Sequence, residues 1–109
     1  MIIERGDIVL IRFPFADASA FKRRPVCVIS DESFNRRFQS LIAVMITSQS
    51  HPERLEYAIS SWRQSGLALP SYIRLTRFFS TDNAFVYRSL GRLPDAEMQI
   101  VMRLIREFL

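Results

Sequence analysis

Apolar and polar positions along the chain follow two different periods, and the change of period divides it into elements. Ile8 to Pro14 is an apolar, β-branched run that reads as a strand, ended by Pro14 because proline cannot donate to a ladder. Phe15 to Arg24 is polar and reads as a connecting loop. Pro25 to Ser30 and Leu41 to Thr47 are again apolar and β-branched. The second of them has no polar face, as in a strand buried on both sides. Between them, Asp31 is placed to cap a short helical turn reaching Phe38. Ser48 to Glu53 is a polar loop with Pro52, and Leu55 to Ser60 reads as a further strand. Ser61 to Ser71, with Gly66 and Pro70, is irregular. Tyr72 to Phe78 sets Tyr72, Arg74 and Thr76 against Ile73, Leu75 and Arg77, a strand with one wet face. Phe85 to Leu90 is the last strand.

From Pro94 the period becomes helical. Met98, Val101, Met102, Ile105, Phe108 and Leu109 recur at helix spacing, with Gln99, Arg103, Arg106 and Glu107 on the other face. Pro94 suits the first turn, and Asp95 and Glu97 suit the positive end of the helix dipole. The predicted architecture is mainly β with a C-terminal α-helix: about six short strands in a small β-barrel or strongly curved sheet, the helix packed on it.

The length of 109 residues predicts a single domain over 1–109, and a hydrophobic content of 49% with 24% charged residues predicts a globular one. The longest apolar run, Leu41 to Ile46, is far short of the roughly 20 residues of a membrane helix, so no membrane association is expected. The opening Met-Ile-Ile-Glu-Arg-Gly-Asp lacks the basic-then-apolar pattern of a secretory signal, and a cytoplasmic location is expected. One cysteine, Cys27, and one histidine, His51, leave no Cys-rich zinc site and no multi-His centre, so neither metal nor cofactor is expected. Cys27, among Val26, Val28 and Ile29, reads as a small buried hydrophobe. With three glycines there is no Gly-rich phosphate loop.

Fourteen of the fifteen cations are Arg, and the net charge is +4. Guanidinium forks match phosphate, which makes the chain a candidate for nucleic acid; the plain alternative is a solvated, Arg-rich surface. Seven cations and five anions fall in residues 1–50 and eight and six in 51–109, so a phosphate site has to be assembled by folding.

The ordered set Arg5-Gly6-Asp7-Ile8-Val9-Leu10 with Phe13-Pro14-Phe15, then Lys22-Arg23-Arg24-Pro25-Val26-Cys27-Val28-Ile29-Ser30, resembles the MazF/PemK family of toxins from bacterial toxin–antitoxin pairs. Ala43 to Gln49, Gly66 to Leu75, Ser80-Thr81-Asp82 and the C-terminal helix extend the likeness over nearly the whole chain. The resemblance implies an SH3-like barrel of the MazF/CcdB toxin type, assembled as a homodimer. It implies metal-independent, sequence-selective endoribonuclease cleavage of single-stranded RNA, hence inhibited translation and growth. It implies an acidic, partly disordered antitoxin partner that covers the RNA groove. Residue by residue, it assigns catalysis to Arg24 and Thr47, and matches Arg74 to an Arg that some members use. The chain departs from such members at Thr76, where they carry an acidic residue, and at Phe79, where some carry an Arg. Two other readings use the same barrel: a CcdB-like toxin that binds DNA gyrase through its C-terminal residues, Arg106 to Leu109 here, and a degenerate member that binds RNA or antitoxin without cutting.

Metal-free RNA cleavage uses the ribose 2′-OH as nucleophile and leaves a 2′,3′-cyclic phosphate and a 5′-OH. On the implied reading Arg24 stabilises the phosphorane charge with two directed N–H groups, and Thr47 donates its hydroxyl to a non-bridging oxygen. The proton acceptor is left open. His51 has a suitable intrinsic pKa, and Asp17 is the other candidate; each also reads as an ordinary loop residue. Lys22, Arg23 and Arg77 are candidates for phosphate contacts, and Phe15, Phe21 and Gln49 for base contacts.

Overall fold

The computed structural model describes residues 1–14 and 21–109, the side chains of Pro14 and Phe21 excepted. Six strands form one antiparallel sheet: β1 (Asp7–Pro14), β2 (Phe21–Val28), β3 (Ser40–Thr47), β4 (Glu56–Ala58), β5 (Tyr72–Asp82) and β6 (Val86–Arg92). Their order across the sheet is β4-β5-β3-β2-β1-β6. Helix α1 (Glu32–Phe38) joins β2 to β3, and α2 (Asp95–Arg106) ends the fold. The expected class, mainly β with a C-terminal helix, is the one observed.

Alternation sorts side chains onto two faces. Ile8, Cys27, Val44, Ile46, Ile73 and Leu75 bury one face against Met98, Val101 and Ile105 of α2. Val9, Ile11, Val26, Val28, Leu41 and Ala43 bury the other with Ile3, and Phe13, Met45, Phe79 and Val86 lie at its margin. The second face is covered by residues of the sheet's own strands and the N-terminal Ile3, which requires strong curvature. Cys27 is fully buried and its thiol is pushed up to about 12 by desolvation, so it packs as a hydrophobe. Asp31 caps α1 by accepting from the Phe34 N–H at 2.8 Å.

Several sequence-based boundaries change. Lys22 to Arg24 belong to β2 and not to a loop, because the hairpin ladder runs on to Pro14 opposite Phe21 and overrides their polarity. The predicted strand at Leu55 to Ser60 shortens to β4. Phe108 and Leu109 lie beyond the end of α2 and are exposed, outside the helical stripe. The largest difference is in β5, which continues to Asp82 and carries a bulge. Val44 faces Phe78 but the next residue, Met45, faces Arg74, so Leu75, Thr76 and Arg77 have no partner on β3.

The segment between β4 and β5 is held from below by Glu97 in the first turn of α2. Its buried carboxylate accepts from Tyr57 Oη at 2.5 Å, from the Ser60 and Ser61 N–H groups at 3.0 Å, and from Ser61 Oγ. Desolvation pushes this carboxyl up, but the hydrogen bonds outweigh it and hold its pKa below the ordinary value of 4.5. Because the folded-state pKa lies below the unfolded one, this stabilisation is present above about pH 4.5 and is lost as pH falls through the folded value. Glu97→Gln is therefore expected to unfold at lower denaturant concentration than the parent at pH 7, with the gap narrowing in acid. Equal midpoints at pH 7 would refute the role.

Candidate functional site

The sheet register brings the charged candidates together. Val26 faces Met45 across β2 and β3. Arg24 lies two residues along β2 from Val26 and Thr47 two along β3 from Met45, so both share that face, and both line one hollow. Met45 in turn faces Arg74 on β5. Arg24, Thr47 and Arg74 therefore converge from three adjacent strands. The sequence separations, 23 and 27 residues, are bridged only by strand pairing.

Two hollows meet at this point, sharing Arg24, Ile46 and Thr47. One, of about 470 Å³, is completed by Phe13, Met45, Arg74, Arg77, Phe78 and Phe79. The other, of about 650 Å³, runs over Lys22, Arg23, Gln49 and Arg88 to a wall made by Gly66 to Leu69. Among the described residues, six cations line the two hollows and no carboxylate does. A groove of one sign concentrates anions electrostatically.

Local contacts prepare individual groups. Thr47 Oγ1 accepts the Gln49 N–H at 3.1 Å, which leaves the hydroxyl proton to donate into the groove. Partial burial, then the neighbouring Arg54 and Arg77 guanidinium groups, lower the pKa of Arg74. Arg23 lies over the Tyr87 ring, 3.8 Å from its centroid. Phe13 and Phe79 pack with ring centroids 5.4 Å apart at the floor of the smaller hollow.

Of the residues nominated from sequence, Arg24, Thr47, Arg74, Lys22, Arg23, Gln49 and Arg77 all line the groove. His51 does not. Its Nδ1 lies 3.3 Å from Glu53, and its backbone N–H donates to Glu56 at 2.6 Å. Asp17 and Phe15 lie outside the described residues, as does the side chain of Phe21. The structure adds Arg88, Phe13, Phe78 and Phe79 to the groove. The signal for the aromatics was present in part: adjacent Phe78 and Phe79 break the alternation of a regular strand. Arg88, one cation within a short strand, carried none.

A family profile for the PemK-like, MazF-like toxin of type II toxin–antitoxin systems matches residues 4–109. The chain belongs to this family. No curated protein matches its sequence. Among solved structures, a MazE–MazF crystal structure from Deinococcus radiodurans superimposes with a TM-score of 0.83 at 16% identity, covering 99% of this chain and 96% of that one. An endoribonuclease from a mycobacterial species gives 0.76 at 16% identity, covering 98% and 90%. A mycobacterial endoribonuclease in complex with its cognate antitoxin gives 0.74 at 16% identity, covering 96% and 92%. At these identities the likeness is one of fold. Among the described residues of this PemK/MazF-family toxin, no helix is long and apolar enough to cross a membrane.

Proposed function

We propose that this toxin is a metal-independent endoribonuclease that cuts single-stranded RNA in the groove centred on Arg24 and Thr47. The observation that carries the reading is the junction itself. A guanidinium and a hydroxyl from neighbouring strands meet where two cation-lined hollows join, with Arg74 beside them. Their donors are N–H and O–H groups, suited to phosphate oxygens and not to holding a metal. The 2′-OH gives its proton to solvent as its oxygen attacks phosphorus, the bond to the 5′-oxygen breaks, and that oxygen takes a proton from solvent, giving a cyclic phosphate and a 5′-OH end. Arg24 binds the added negative charge, Thr47 donates to a non-bridging oxygen, and Arg74 adds a further cation beside them. No imidazole or carboxylate lines the groove among the described residues, so the rate rests on charge stabilisation there.

Single-stranded substrate follows from the aromatic floor. Unstacked bases need ring faces, and Phe13, Phe78 and Phe79 supply them next to the phosphate-binding arginines. Phe79 thus offers stacking where some family members offer a cation. As a toxin of this family the protein acts in the cytoplasm, where its RNA is, as a homodimer held in check by an acidic antitoxin. The exposed Phe108 and Leu109 offer apolar surface for such assembly.

The test is incubation of the pure protein with long single-stranded RNA in excess EDTA, followed by mapping of the ends. Discrete cuts with cyclic phosphate and 5′-OH ends are expected. Intact RNA from folded, antitoxin-free protein would shift the reading to a toxin acting through a protein target.

A further inference from the structure

We propose that Glu56 is a positioning residue for base selection, a role that rests on the reading of the groove as an RNA site: it clamps the turn after β3 and so fixes the Gln49 amide at the groove. Glu56 itself lines neither hollow. It stands half-buried on β4, the edge strand of the sheet.

The clamp has two arms. Glu56 Oε1 accepts the His51 N–H at 2.6 Å, and Oε2 accepts the Ser50 hydroxyl at 2.7 Å. The Arg54 N–H donates to the His51 carbonyl at 2.9 Å and closes the turn. The Gln49 N–H donates to Thr47 Oγ1, which ties the turn to the end of β3. The post on the other side is firm, since Tyr57, next to Glu56, donates to Glu97 of α2. Register also makes Glu56 the cross-strand neighbour of Arg74. Both carboxylate oxygens are engaged by the turn, and Arg74 forms no ion pair among the described residues, so it remains open to phosphate.

Gln49 is what the clamp presents. Among the described residues that line the two hollows it is the only side-chain amide. An amide donates at one end and accepts at the other, so it can tell base edges apart. Guanidinium and ammonium groups only donate, and hydroxyls such as those of Thr47, Ser48 and Ser71 rotate to suit either edge. Gln49 is exposed and lies between strands, so its amide has a defined direction only if the backbone beneath it is held.

Two measurements test this on the whole chain. In the free protein, Glu56→Ala is expected to speed amide hydrogen exchange at His51 and Gln49 at least about ten-fold, the loss of a hydrogen bond to a charged acceptor. Binding of uncleavable 2′-O-methyl RNA decamers of A, C or U, followed by fluorescence anisotropy, reads base preference as the ratio of weakest to tightest Kd. Gln49→Ala should shrink that ratio about five-fold or more, Glu56→Ala should match it, and the double variant should lose nothing further. Glu56→Gln removes the same charge but keeps an acceptor, so it should retain part of the preference. Exchange at His51 unchanged in Glu56→Ala would overturn the clamp. Base preference kept in Glu56→Ala but lost in Gln49→Ala would overturn the positioning role, as would Glu56→Gln and Glu56→Ala behaving alike, which would make the effect one of charge. A parent that binds none of the decamers would overturn the RNA reading and the role of Gln49 with it, while exchange still decides the clamp.

Discussion

Arg24→Ala is expected to lower RNA cleavage about 10²- to 10³-fold, the usual loss when one donor to a developing oxyanion is removed. Stability should stay within about 0.5 kcal/mol of the parent, since Arg24 is exposed and its side chain makes no ion pair among the described residues. Arg24→Lys should recover little, because an ammonium group is a point charge without the fork that meets two phosphate oxygens. Lys22 and Arg88 provide the contrast. They line the larger hollow away from the junction, so removing either should weaken RNA binding and its salt dependence more than the rate of bound substrate. Single-turnover cleavage with mapped ends separates the two effects. A rate within a few-fold of the parent for Arg24→Ala would remove Arg24 from the reaction.

The largest structural effect is expected from Gly66→Ala. Gly66 has φ +86°, and a Cβ there would stand 2.0 Å from the Leu90 carbonyl oxygen and 2.6 Å from its carbon. The approach is reciprocal, since a Cβ on Gly91 would stand 2.4 Å from the Ser65 carbonyl oxygen. Both obstacles are backbone, so no side chain can swing aside. Left-handed strain of about 1–3 kcal/mol and overpacking of about 1–3 kcal/mol together predict a loss of about 2–6 kcal/mol. Set against the 5–15 kcal/mol typical of a domain, that unfolds a measurable fraction or the whole population. The crossing also seats the 66–69 wall of the groove against β6, so RNA affinity should fall with stability. A denaturation midpoint unchanged in Gly66→Ala would show that the two backbones are not in contact.

Helix α2 was legible because its signal is local. Met98, Val101, Met102 and Ile105 repeat within one element, and the helix needs only an apolar face to receive them. β3 was legible for a similar reason, as its apolar run admits little else. Lys22 to Arg24 misled because polarity argues for a loop, whereas the ladder with Phe13, Arg12 and Ile11 holds them extended. In β5, alternation through Ile73 and Leu75 was correct, but it could not announce that Leu75 to Arg77 lack a partner on β3. Which face a residue takes after a bulge depends on the partner strand and not on its own neighbours.

The candidate site divides along the same line. Sequence by itself determined the element types, the pairing of Asp31 with a helix start, and, through the family resemblance, the nomination of Arg24, Thr47 and Arg74. It also determined that fourteen arginines are spread along the chain, with Lys22-Arg23-Arg24 the longest run of cations. Only the tertiary structure decided that six cations from β2, β5 and β6 face one groove, that His51 turns to Glu53 instead, and that Phe13 and Phe79 floor the site. The physical reason is range. Periodicity and capping act over one turn or one strand and are written in neighbouring residues. Strand register, the bulge and the Gly66–Leu90 contact join residues tens of positions apart, and only the folded chain brings them within reach of one phosphate.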